Sequence, residues 1–435
     1  MRFTEILELF PEGRPRRTGA EDRFWDEIAR LGTPLVDSCA SDSSLRDVTF
    51  LFRAAGPEVR SVRLVANRVT DKHRQAAGIM RQVPDTGIWG VTLSLPADLR
   101  VSYGFSPSSS TVPKPMRTGR SLGPPVLVDP CNVDPPLRRP DAPVTGSVPG
   151  EQGMSVFSGP SAPDHGPWLS EFPLRGSVTV STRTIAGFDC PVHVYSPRTG
   201  RPRALLVLFD GDEWFHSLGV AQACEAAGLA PLVIVGIGAA DREQRIETLG
   251  GHQDFLKDIC VTLLPQIERE LSQRGCSLPE RSGRIVSGQS LGGLSSLLMA
   301  LVAPEAFGTV LAQSASLWWR PGGEASPAGL SRADPGRGAH DDWLTGRFLT
   351  SGDLDVALHL TVGSREELMV GQHRRLHEVL LDRARASTLS VYRGGHDYAC
   401  WRGALIDGLQ TLLVTDAESP AGARNAPDSA NSPQG

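Results

Sequence analysis

A serine that attacks an ester must stand clear of its own backbone and have a base within reach. Gly288-Gln289-Ser290-Leu291-Gly292, with Gly293 after it, meets the first need. The RIVS before it reads as a strand and the LSSLLMAL after it as a helix, the setting of a nucleophile elbow. Small flanking residues let the chain fold back sharply, so that the hydroxyl projects beyond the strand end. Ser290 is therefore the candidate nucleophile.

The base is sought among ten histidines, and His396 in Gly394-Gly395-His396-Asp397 is best placed. It sits in a glycine loop after the last strand expected from the sequence. A third group must orient the imidazole and stabilise its charged form. Glu366, just after the strand expected over 356–362, is the first choice; Glu367 follows, with Asp397 and Asp353 behind. The order Ser290, Glu366, His396 follows the nucleophile–acid–histidine order of common hydrolases, with Glu in place of Asp. Two backbone N–H groups should face the developing oxyanion. Leu291 supplies one, and Gly211 or Asp212, in the turn after 204–209, supplies the other. His373 and His377 have i, i+4 spacing, but only Arg-Arg-Leu lies between them. A helix face is expected there rather than a zinc site, and no metal is assigned.

These residues need a sheet to hold them. From about residue 176 the pattern alternates strand and helix. It begins with a hairpin (177–184, 191–195), then a continuous apolar run, ALLVLF, over 204–209. Helical spacing over 253–273, a strand at 284–287, a helix at 291–302 and a strand at 309–311 follow. After a Pro/Gly-rich insertion (320–339) come strand 356–362, helix 369–384, strand 389–392 and helix 401–414. The fold class is α/β, a mainly parallel sheet covered on both faces.

Before it, strands are expected at 47–53, 59–66, 88–95 and 101–105, short and closely spaced as in a β-sandwich. A helix over 21–31 would carry Phe24, Trp25 and Ile28 on one face. The chain thus divides into an N-terminal β-sandwich (1–130), a Pro/Gly-rich linker (131–171), a catalytic domain (172–415) and a disordered tail (416–435). Its 435 residues alone would suggest about three domains. Glycine (46) and proline (34) make up roughly 18% of them, and that excess favours long loops over a third core.

The net charge of −5 argues against nucleic-acid binding through overall basicity. Seven scattered cysteines without a CxxC pair suggest a reducing cytoplasm rather than a disulfide framework. The N-terminal stretch MRFTEILELFPEGRPRR has acidic residues within its apolar part and no small-residue cleavage site. No apolar run reaches about 18 residues, so neither secretion nor membrane insertion is expected.

Five blocks in the second half resemble one known family: LFDGDEW (208–214), VSGQSLGGL (286–294), QSASLWW (313–319), VGSRE (362–366) and GGHDYACWR (394–402). They are similar to the enterochelin (ferric enterobactin) esterases among the esterase-D-like α/β hydrolases. TFLFR (49–53), VTDKH (69–73) and WGVTLSLPADLR (89–100) resemble that family's N-terminal β-domain. The resemblance implies an α/β-hydrolase domain behind a β-sandwich. It also implies cytoplasmic cleavage of the trilactone backbone of a ferric catecholate siderophore, with no cofactor and iron arriving only within the substrate. Arg245 matches a family arginine, although Thr248-Leu249 stands where the family has Glu-Leu. Arg365 and Arg402 match family positions as well; with Arg245 they are candidates to bind the anionic substrate, and Trp318 and Trp319 are candidates to line a catechol cavity. The alternatives are an esterase for other bulky acyl or feruloyl-type esters, and a catalytically silent siderophore-binding scaffold.

Overall fold

Alternating apolar side chains build the first half. In the computed structural model, which describes residues 1–12, 19–112, 126–138, 153–198, 201–322 and 342–413, this half forms two four-stranded antiparallel sheets. Its strands are β1 (Leu35–Ser38), β2 (Leu45–Arg53), β3 (Ser61–Ala66), β4 (Arg81–Gln82), β5 (Ile88–Pro96), β6 (Arg100–Ser108), β7 (Leu137–Arg138) and β8 (Gly153–Ser158). The sheet orders are β1-β2-β5-β4 and β3-β6-β8-β7. Phe50, Trp89, Tyr103, Phe105 and Phe157 share the core between them. Phe50 meets Tyr103 edge to face, with ring centroids 4.9 Å apart. Helices Phe3–Leu9 and Ala20–Leu31 bury Phe3, Ile6, Phe24, Trp25 and Ile28 in a second cluster with Leu51 and Ile88.

The residues read as a linker (131–171) are partly sheet. β8 pairs with β6 through Arg100–Ser158 and Tyr103–Ser155, so the sandwich runs past residue 130. The run GMSVFS lacks strict alternation because four of its six residues are buried, and its glycine- and proline-rich surroundings disguise it. The insertion expected at 320–339 and the tail at 416–435 fall almost wholly outside the described residues.

The second half is one eight-stranded sheet of order β16-β15-β14-β13-β11-β12-β10-β9. Its strands are β9 (Ser177–Ile185), β10 (Phe188–Ser196), β11 (Ala204–Phe209), β12 (Leu232–Ile237), β13 (Arg284–Gln289), β14 (Thr309–Gln313), β15 (Leu354–Gly363) and β16 (Ala384–Tyr392). β9 and β10 are antiparallel to their neighbours, and β11 to β16 run parallel. β11 and β12 are buried along their whole length, which explains their unbroken apolar runs. The edge strand β16 begins at Ala384, inside the helix expected over 369–384. That helix ends at Leu381, because the weakly alternating ARASTLSVY pairs with β15 instead. The expected helix over 253–273 is interrupted by a π-helical turn at Ile259–Leu263.

The chain leaves β11 toward β12 on one side and returns to β13 on the other. Strand order reverses there, so the turns after β11 and β13 open into one crevice at the carboxyl ends of the strands. Gly211 follows β11 and Ser290 follows β13.

Candidate active site

Ser290 occupies the elbow between β13 and helix Leu291–Val302, with φ 57° and ψ −118°. A side chain is strained in this region, and it persists because the surroundings fix both ends of the turn. The Ser290 N–H donates to the Gln313 carbonyl (3.0 Å), and its carbonyl accepts from the Ser316 N–H (2.9 Å). A Cβ on Gly288 would lie 2.5 Å from the backbone of Gly292, so glycine is required for the fold-back.

His396 Nε2 lies 3.1 Å from Ser290 Oγ, and its Nδ1 lies 2.5 Å from Glu366 Oε2. Glu366 is 1% exposed and also accepts from Ser314 Oγ (2.5 Å) and the Gly363 N–H (2.8 Å). Burial alone would raise its pKa. The neighbouring His396 and the hydrogen bonds from His396, Ser314 and Gly363 outweigh burial and hold the carboxyl below its ordinary value. Of the four acids considered from the sequence, Glu366 reaches the imidazole. Glu367 turns to Arg74 at 3.0 Å, Asp397 accepts from Ser102, and Asp353 is exposed. Trp401 stands edge-on to the His396 ring, with centroids 4.8 Å apart. This relay can take a proton from Ser290 and hold the resulting imidazolium.

The sequence of residues 184–412 matches the profile of the "Putative esterase" family, and 47–168 matches "Enterochelin esterase, N-terminal". The iron(III) salmochelin esterase of Escherichia coli O6:H1 is 37% identical over 398 residues, covering 89% of this chain and 93% of that protein. The chain belongs to the enterochelin esterase family. The iron(III) enterobactin esterase of Dickeya dadantii is 30% identical over 437 residues, 91% of this chain and 94% of that protein. The enterobactin esterase of Shigella flexneri superposes with a TM-score of 0.68 at 25% identity, covering 92% and 100% of the two chains. The Salmonella typhimurium ferric enterobactin esterase has the same fold, with a TM-score of 0.71 at 23% identity and coverage of 90% and 98%.

In this esterase Leu291 opens the helix after Ser290, and Gly211 and Asp212 follow β11 across the crevice. A Cβ on Gly211 would lie 2.4 Å from the Gly236 carbonyl carbon, so glycine allows this turn to press against β12. Arg245 grips Asp210 with Nε and Nη2, the latter at 2.8 Å. Trp319 donates its indole N–H to Gly250 O (2.8 Å) and meets Trp318 edge to face, both half-buried.

Arg402, a candidate for substrate binding from the sequence, is buried in the structure. It is 3% exposed and donates to His165 Nδ1 at 2.8 Å, between the two domains. Burial, then the neighbouring Arg100, lowers its pKa to about 10. Arg365 is half-buried, and burial together with Arg74 and Arg393 lowers its pKa.

His193, Asp212 and His216 bring three potential ligand atoms within 4.8 Å of one another. His193 Nε2 is engaged with Asp212 at 2.7 Å, and its ring stacks on Phe215. His373, weighed for zinc with His377, is buried and accepts from the Ala315 N–H at 3.0 Å; His377 bonds Ser387 at 2.7 Å. Among the described residues, no helix is long and apolar enough to cross a membrane.

Sequence reasoning missed the groups that hold Glu366, His396 and the turn at Asp210. Ser314 bonds both Glu366 and Tyr392, and Gln289 bridges Asp210, Trp214 and Tyr398. Asn67, more than three hundred residues upstream, bonds the main chain of His396. No local pattern marks such residues, because each acts through a partner distant in sequence.

Proposed function

We propose that this esterase hydrolyses the trilactone backbone of a ferric catecholate siderophore in the cytoplasm. The observation that carries the reading is the Ser290–His396–Glu366 relay at the sheet's switch point, beside a β-sandwich of the family's kind. His396 Nε2 takes the Ser290 proton as Oγ attacks the ester carbonyl. Glu366 steadies the imidazolium, and the amides of Leu291 and of Gly211 or Asp212 receive the oxyanion. The leaving alkoxide takes the proton from His396 as the ester C–O bond breaks. Water then attacks the acyl-enzyme with His396 as base, freeing the acid and restoring Ser290.

Ferric iron is a hard cation held by catechol oxygens, and one linked molecule presents all its donors together. Cutting the linker lowers their effective concentration and loosens the metal. The reaction uses no cofactor in this reading, and iron enters as cargo. The ferric complex is anionic, and an acidic chain needs local positive charge to attract it. Burial lowers the pKa of Arg365 and nearby Arg74 and Arg393 add to it, and burial with Arg68 does the same to Lys72, so positive groups gather here. Trp318 and Trp319 are assigned to the catechol wall, and Arg245 to the substrate side through its hold on the turn at Asp210.

Incubation with ferric and iron-free triscatecholate lactones, followed by mass analysis, tests the reading. Linear and smaller catecholate fragments are expected, and Ser290→Ala should yield none. Intact lactone alongside turnover of a simple nitrophenyl ester would overturn the substrate and leave the esterase.

A further inference from the structure

The catalytic histidine is held from outside its own domain. His396 hangs from a loop that follows the edge strand β16, and two glycines precede it. The catalytic domain fastens this loop through the Arg365 N–H to Gly394 O (3.1 Å) and Tyr392 OH to Gly395 O (3.2 Å). Neither bond touches the main chain of His396. Both of that residue's main-chain groups go to Asn67: Oδ1 accepts its N–H at 2.9 Å, and Nδ2 donates to its carbonyl at 3.1 Å. A primary amide offers a donor and an acceptor side by side, so it grips a residue much as a neighbouring strand would.

The approach is built into both partners. A Cβ on Gly395 would lie 2.3 Å from Asn67 Oδ1, so a bare backbone is what lets Asn67 in. Asn67 is anchored at the end of β3 by its own N–H to Ser102 O (3.0 Å), above a turn closed by Thr70. The next residue of the loop is held too. Asp397 accepts from the Ser102 N–H (3.1 Å) and Oγ (2.9 Å), and Arg100 N–H donates to Arg393 O (3.2 Å). The sandwich therefore spans the loop from Arg393 to Asp397, with the catalytic ring at its centre.

We infer that Asn67 is a positioning residue for His396, and that the N-terminal β-sandwich takes part in catalysis by setting the histidine between Ser290 and Glu366. The inference rests on the reading of His396 as the base. A displacement of the ring by about 1 Å is enough to cost on the order of a hundredfold in rate.

The test uses the full-length chain and a small soluble nitrophenyl ester. Asn67→Ala should lower kcat roughly ten- to hundredfold with KM nearly unchanged. Asn67→Asp, which keeps the shape and the acceptor but loses the donor, should also lower kcat, and it stands in if the alanine variant does not fold. In both, the far-downfield proton of the His396–Glu366 hydrogen bond should move or broaden in the NMR spectrum; a general loss of stability would not produce this in a folded variant. Wild-type kcat with an unmoved proton in a folded variant would overturn the inference, as would a rise in KM alone. His396→Ala separates the two readings. If it retains turnover, the base assignment itself fails; if it is silent while the Asn67 variants are wild-type, only the clamp fails.

Discussion

Gln289 and Asp210 are joined by a 2.5 Å hydrogen bond from amide nitrogen to carboxylate. One residue precedes Ser290 and the other opens the turn that faces it, so the bond ties the two lips of the crevice together. Asp210 sits at φ 61°, is held from the other side by Arg245, and has its side chain only 9% exposed. Gln289 also accepts from Trp214 Nε1 (3.1 Å) and donates to Tyr398 OH (2.8 Å). The separation between the Ser290 elbow and the turn at Asp210 is thus set by a polar network rather than by apolar packing alone.

Arg245→Ala should leave Asp210 without its main partner and loosen that turn. Loss of a hydrogen bond to a buried charge costs about 2 kcal/mol, and kcat should fall with it. Thermal unfolding and steady-state kinetics on a small ester check this. A residue serving only substrate binding would raise KM for the large substrate and leave the melting temperature alone.

Glu366→Gln should keep the fold and lower kcat on the order of a thousandfold or more, because the amide cannot steady the imidazolium. Ser290→Ala should abolish the nitrophenol burst altogether. Stopped-flow burst amplitudes, with the fold checked by circular dichroism, read both outcomes.

Ser314→Ala removes one of the hydrogen bonds that keep the Glu366 carboxyl low. Without it the carboxylate is less favoured and the pKa of Glu366 rises. The acidic limb of the kcat profile should therefore move to higher pH, with a several-fold smaller plateau. A pH–rate profile on a small ester is the measurement, and an unmoved limb would contradict the assignment.

His165 makes the domain contact sensitive to acid. Burial, together with Arg100 and Arg402, lowers its pKa from 6.5 to about 4, so the folded protein keeps it neutral where the unfolded chain would protonate it. The unfolded state binds more protons in that window. Stability should accordingly fall as pH drops from about 6.5 to about 4, by about 3 kcal/mol. Denaturant titrations across this range should show the loss, and His165→Gln should flatten it.

Several features were legible in the sequence because they are local. Gly288 to Gly293 must turn sharply whatever surrounds them, and the apolar run at 204–209 can be satisfied only inside a sheet. Ser290 and His396 were legible because each sits in a glycine-rich turn at a strand end, and the structure brings their atoms within 3.1 Å. Glu366 was separable from Glu367, Asp397 and Asp353 only in space. One position along the chain decides whether a carboxylate points at the imidazole or at Arg74, and spacing carries no such direction.

What tertiary structure decided was mostly the work of partners far apart in the chain. β8 is recognisable only once β6 lies beside it, since the ladder it completes spans some fifty residues. Arg402 matches the family's pattern, yet it lies buried against His165, because its helix packs against the sandwich. The sequence alone marked Ser290 and His396 as the candidate nucleophile and base and determined the two fold classes and their order, through turn sterics and apolar periodicity. Only the folded chain set the distance between Ser290, His396 and Glu366 and brought Asn67 to the histidine's backbone. Hydrogen bonds are short-ranged, and the chain must close on itself before these groups can meet.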